Sequence, residues 1–206
     1  MKINIFIIIL GYWVLLGQTN KPKKMNSSDN SKVIETSIED GIDWETYCKR
    51  GDIYLSRSRF KPSPISGDIL SYCARETYNT YGVFIPVELA LAQAQWESGM
   101  GLKGRSPKNN PCNLGEYSNK TVLRYKSTKE GMLAYYKLIA TNYLDFGKKT
   151  IFDLFENKFK DVNGYMYAGS NTYGLRIKKQ YQFIVKWIDD KYWNNNDGTK
   201  FQVPFK

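Results

Sequence analysis

The chain has no histidine. That absence removes Ser-His-Asp and Cys-His nucleophilic catalysis. It also argues against a zinc hydrolase, whose usual ligand is imidazole. Cysteine is scarce as well: Cys48, Cys73 and Cys112 show no Cys-x-x-Cys spacing, which leaves a structural zinc site poorly supported. Chemistry, if there is any, falls to carboxylates, hydroxyls or amides. Acidic residues are in deficit, 20 Asp and Glu against 30 Lys and Arg, for a net charge of +10. A chain this basic suits an anionic partner: nucleic acid, a membrane surface or an acidic cell wall. The lysines are scattered rather than clustered on one helix, and no nucleic-acid motif is present, so nucleic acid is not expected. The one long apolar run, residues 3–16, is short for the roughly 20 residues a spanning helix needs.

What is present fits one ordinary domain with extensions: 206 residues, 42% hydrophobic, 24% charged and 15% aromatic, including 16 Tyr. Residues 1–17 read as an export signal or, if uncleaved, an anchor beside the lysines of 21–24. Residues 18–42 are polar and read as a linker. The globular part is expected over 43–206, with a core at about 65–188. The segment 43–63 has no clear assignment beyond a short helix followed by an extended stretch. Helices are expected over 66–81, over the stretch 85–101, and at 128–144, 151–159 and 173–192. Ile177, Tyr181, Ile184 and Ile188 form the buried stripe of the last one. Ser127 and Glu130 have capping-box spacing before an apolar run.

The stretch Ile85 to Gly101, IPVELALAQAQWESGMG, organises the chain. Pro86 suits a first helical turn, and Glu88 complements the positive end of the helix dipole. Gly99 and Gly101 stop the helix. Glu97 therefore sits in the last turn, on the face of Ala90 and Ala94, where another element can pack closely. The negative end of the dipole and partial burial both disfavour its ionisation. A carboxyl kept protonated near neutral pH is what a general acid needs. The alternative is an ordinary solvated glutamate on a helix face.

The string ALAQAQWESGMG resembles the "AQaalESGWG" signature of the glucosaminidase family of peptidoglycan hydrolases, which includes bacterial autolysins and the flagellar rod-cap hydrolase. It departs from that signature at Met100, where Trp is usual. Four further stretches resemble family motifs in the family's order. ETYNTYGVFIPVELALAQ matches the entry to the catalytic helix, and NNPCNLG the loop after it. RYKSTKEGMLAYYKLI matches the next helix, and YAGSNTYGLRIKKQYQFIVKWI the closing element. The resemblance spans about 65–188. It implies a mainly α, lysozyme-like helical domain with a small β-hairpin lobe over the cleft, the hairpin falling at 116–125.

The resemblance also implies roles. Glu97 maps onto the catalytic acid. Glu116 is a candidate for a second carboxylate that positions water, or else an exposed hairpin-tip residue. Tyr167 maps onto a cleft tyrosine, or else joins the core. Trp96 supplies an aromatic surface beside the acid, and Asn113, Tyr117 and Tyr173 are assigned with it to substrate binding. The implied activity is cleavage of a β-1,4 bond after N-acetylglucosamine in cell-wall glycan, with no metal or cofactor. The partner is the peptidoglycan strand, and the protein is a monomer. It faces the wall or periplasm, or is secreted, with an N-terminal tether to the membrane still open. Two alternatives remain: a muramidase or lytic transglycosylase on the same scaffold, or a wall-binding structural protein without activity. In an oxidising compartment two of the three cysteines are expected to pair, Cys48 with Cys73 being preferred among three pairings.

Overall fold

A computed structural model describes residues 41–103, 109–116 and 121–193, with only the backbone described at Glu116, Thr121, Tyr192 and Trp193. The expected export segment and nearly all of the linker lie outside the described residues. Among the described residues six α-helices carry the fold: α1 (Trp44–Leu55), α2 (Gly67–Tyr81), α3 (Val87–Ser98), α4 (Thr128–Leu138), α5 (Ile151–Glu156) and α6 (Tyr173–Trp193). The molecule is mainly α, as expected.

Helix α3 is the axis. Val87 to Ala94 are all buried, and a helix apolar on every side belongs in the middle of a core. It packs against α6, α1 and α2. Burial does not continue to the end of the helix. Leu89 and Ala92 are fully buried, but Trp96 is 45% exposed. The N-terminal end of α3 is fastened by charge. Arg50 of α1 donates from Nε to Glu88 Oε1 at 2.7 Å and from Nη1 to Asp189 of α6 at 2.9 Å. Three helices thus meet at one guanidinium.

The unassigned segment 43–63 proves to be core. Asp43 caps α1 by accepting from the Thr46 N–H. Tyr47 and Tyr54 are fully buried. The Tyr47 hydroxyl lies 2.7 Å from that of Tyr136 and donates to the Ile85 carbonyl at 2.9 Å. Ile42, counted with the linker from sequence, is 1% exposed.

Helix boundaries differ from expectation where backbone geometry intervenes. Helix α4 ends at Leu138 and continues to Tyr143 as one wide π turn. Helix α5 stops at Glu156 because Lys158 and Phe159 take left-handed conformations, φ 66° and 59°. Phe159 is buried in consequence, whereas Phe152 is 47% exposed. The Ser127–Glu130 box is only half made. Ser127 accepts from the Glu130 N–H, but the Glu130 carboxylate turns back to the N–H of Lys126. The reciprocal box sits at Thr150 and Asp153 instead. The stripe of α6 is buried as expected.

The expected β-hairpin lobe is not supported. Strands β1 (Gly115–Glu116) and β2 (Thr121–Val122) pair antiparallel over two rungs only, Gly115 with Val122 and Glu116 with Thr121. Two rungs have no apolar face to bury, and a short hairpin is not stable alone. The ladder is a rim held by its neighbours. Asn110, fully buried, donates to the Leu114 and Leu123 carbonyls at 2.8 and 2.9 Å and accepts from the Leu114 N–H.

The expected disulfide is absent: all three cysteines are free. Each thiol faces a different partner. Cys48 points to Asp68 and Asp52, Cys73 to the Lys129 carbonyl, and Cys112 to the Met132 sulfur. Burial raises all three thiols, those of Cys48 and Cys73 to about 12, which leaves them protonated and unreactive.

Candidate active site

The C-terminal end of α3 is built to stop abruptly. Gly99, Met100 and Gly101 all have positive φ, 57°, 65° and 77°. The glycines adopt this region without steric cost. Met100 is held in it by hydrogen bonds on both sides: its N–H donates to the Ala94 carbonyl, and its carbonyl accepts from Ser63 Oγ at 2.9 Å. Its side chain is fully buried, so the position where the family carries Trp does not face the cleft here. Ser98 locks the next loop. Its hydroxyl donates to the Pro111 carbonyl at 2.5 Å and accepts from the Gly101 N–H at 2.7 Å. The loop 109–114 is also pressed against α4 at Gly131, where a Cβ would collide with the Asn109 carbonyl oxygen.

Glu97 lines a cleft of about 340 Å³ together with Arg59, Phe60, Trp96, Ser98 and Lys103. Burial raises the Glu97 carboxyl above the ordinary glutamate range. Hydrogen bonds from Tyr173 and Asn113 offset that only in part. The Tyr173 hydroxyl donates to Oε1 at 2.7 Å, and Asn113 Nδ2 reaches Oε2 at 3.4 Å. The two oxygens are therefore unlike: one is firmly engaged, the other is loosely held.

A buried chain of amide and hydroxyl groups fixes the direction of the Tyr173 bond. Tyr135 donates to Gln93 Oε1 at 2.6 Å, and Gln93 Nε2 donates to the Tyr173 hydroxyl at 3.2 Å. With its oxygen accepting from Gln93, Tyr173 directs its own hydrogen at Glu97. When Glu97 is protonated, Oε1 accepts and Oε2 carries the proton. Gln93 is fully buried one turn before Glu97.

The expected site residues fall into three groups. Glu97, Trp96, Asn113 and Tyr173 are brought together. Trp96 offers a half-exposed ring with the Arg176 guanidinium 5.1 Å from its centre. Tyr167 stands one layer back. Its ring stacks on Tyr173 at 5.5 Å and 12°, and its hydroxyl donates to the Cys112 carbonyl at 2.7 Å. It supports the tyrosine that touches the acid rather than touching the acid itself. Glu116 has its backbone in β1, opposite Thr121, but its side chain lies outside the described residues, as does all of Tyr117. Among the described residues no group of three Cys, Asp or Glu is arranged to hold a metal ion.

Sequence reasoning missed Gln93, Ser98 and Asn110. Each carries a signal in retrospect. Gln93 is a polar residue within the apolar run of α3. Ser98 follows the acid, and Asn110 sits in the Asn-Asn-Pro turn. A buried polar side chain with both ends engaged marks a group held in place.

No protein-family model matches this chain, and no curated protein matches it.

Proposed function

We propose that the chain is a peptidoglycan hydrolase on a lysozyme-like helical scaffold, acting outside the cytoplasm on the β-1,4 bond after N-acetylglucosamine. The observation that carries this reading is Glu97. It is a carboxyl raised by burial and oriented by Tyr173, on a residue that lines a cleft with an aromatic wall. Five stretches that resemble the family's motifs, in the family's order, supply the substrate class.

In this reading Glu97 Oε2 delivers its proton to the glycosidic oxygen as the C1–O bond breaks. Tyr173 holds Oε1 throughout and stabilises the carboxylate that is left. The developing oxocarbenium ion is met by water directed by Glu116, or by the substrate's own N-acetyl oxygen. Water then completes the new reducing end, and Glu97 recovers its proton. Trp96 stacks on a sugar ring next to the scissile bond.

The test is digestion of purified peptidoglycan, borohydride reduction of the products and mass spectrometry of the reduced sugar. Glucosaminitol is expected. Muraminitol would reassign the bond to a muramidase, and 1,6-anhydro products to a lytic transglycosylase. No release of soluble fragments would favour a wall-binding role.

A further inference from the structure

The cleft beside Glu97 is unbalanced in charge. Among the described residues its walls hold two cations, Arg59 and Lys103, and one acid, Glu97 itself. Neither cation has an ion-pair partner among the described residues. With Glu97 protonated, the lining formed by the described residues carries positive charge and no negative charge.

Arg59 is also held in place. Its guanidinium lies 4.5 Å from the centre of the Phe60 ring, and Nη2 reaches Gln95 Oε1 at 3.4 Å and the Tyr54 hydroxyl at 3.5 Å. The turn that carries it is anchored beneath. Phe60 is buried, and Arg57 packs over Tyr54 and Trp187, each at 5.0 Å. Lys103 is tied through its N–H to the Ser98 carbonyl at 2.8 Å, and its aliphatic stem runs past Gly99. The two cations thus come from separate segments and stand on one cleft. Neutral acceptors leave the guanidinium fork able to take a carboxylate with two parallel bonds.

We infer that this end of the cleft is a subsite for a carboxylate carried by the glycan, with Arg59 as its reader and Lys103 as a second positive charge. The inference rests on the glycan reading above. It adds a specificity: acidic strands are preferred over neutral β-1,4 N-acetylglucosamine polymer. Two sources share the chemistry, the lactyl carboxylate of muramic acid and the carboxylates of its peptide stem.

The test is binding, which does not need turnover. Full-length protein carrying Glu97→Gln is titrated calorimetrically with three tetrasaccharides. One is neutral chitotetraose, one is amidase-stripped glycan with free lactyl carboxylates, and one still bears its peptides. At least one acidic probe is expected to bind about tenfold tighter than the neutral one. That preference is expected to shrink as salt rises from about 0.05 to 0.5 M. The tighter acidic probe identifies the source. Adding Arg59→Gln and Lys103→Gln should collapse the acidic-to-neutral ratio towards one, whereas Lys137→Gln on α4 should leave it as it was. Equal affinity for all three probes, or a ratio unmoved by the double substitution, overturns the subsite. Unaltered protein that cleaves no wall, while the Glu97→Gln variant keeps the preference, would sink the hydrolase reading and leave the subsite standing.

Discussion

Two glutamates on α3 stand nine positions apart and meet opposite fates. Glu88, in the first turn, is almost fully buried and faces the Arg50 guanidinium from 2.7 Å. Glu97, in the last turn, has no cation at hydrogen-bonding distance among the described residues; its partners are a phenol and an amide. The first turn of a helix favours a carboxylate and the last turn opposes one. Residue type and helix are the same, so position and partner make the difference. A carboxylate paired with arginine is a fastening. A carboxyl left to neutral donors keeps its proton to higher pH, which is what the proposed role of acid requires.

The largest expected effect comes from removing the proton. Glu97→Gln should lower wall cleavage by about 10²–10⁴-fold, read as turbidity loss of purified walls. Sedimentation with walls should show binding retained, because the amide keeps the shape. Activity within tenfold of the unaltered protein would remove Glu97 from the role of acid. At the other end of the helix, Arg50→Ala should leave catalytic groups untouched and damage the fold. It strands Glu88 as a buried charge, which costs about 3–5 kcal/mol. Urea unfolding reads the loss directly. A loss below about 1 kcal/mol would mean that the triad of Arg50, Glu88 and Asp189 is not a fastening.

How much of this contrast is legible in the sequence depends on which end is read. The helix itself, its glycine stop and the suspicion about Glu97 follow from local chemistry. Local spacing cannot place Arg50, because its partners lie 38 and 139 residues away and belong to other helices. The same limit hides α1. Its charged residues mask two tyrosines that only the assembled core explains. Tyr167 and Tyr173 occur in one motif, and motif matching alone does not say which of the two hydroxyls reaches Glu97. Six residues and one helix start separate a hydroxyl that reaches the acid from one that reaches a carbonyl. The hairpin expected at 116–125 does not state how many rungs will pair, and among the described residues only two do.

A smaller effect should follow from Tyr173→Phe. The carboxyl stays, but its orienting bond is lost and Gln93 is left with a buried N–H unmatched. Cleavage should fall about 10–100-fold. The pH profile separates orientation from mere packing. The Tyr173 bond lowers the Glu97 carboxyl, so its removal should raise it and move the alkaline limb of activity to higher pH. A fall in rate with an unmoved limb would assign Tyr173 to packing alone.

The smallest effect is on stability, and it tests the comparison without any substrate. Folding raises the Glu97 carboxyl, chiefly through burial, above its value in the unfolded chain. The folded state therefore binds this proton more tightly than the unfolded state does. The contribution is fully present below the unfolded value, near about 4.3 for an ordinary glutamate. It is lost as pH rises through the folded value, because ionising Glu97 in its cleft then costs free energy. Glu97→Gln cannot ionise and escapes that cost. Its melting temperature relative to the unaltered protein should therefore be higher at pH 8 than at pH 4. Glu88→Gln should do the opposite at neutral pH, since it removes the charge that Arg50 needs and leaves a buried guanidinium with Asp189 as its remaining acid. Matched melting curves for the two variants at both pH values give four differences. If both lose stability equally at pH 8, the two ends of α3 are not chemically distinct, and Glu97 loses its claim to be held in the protonated state.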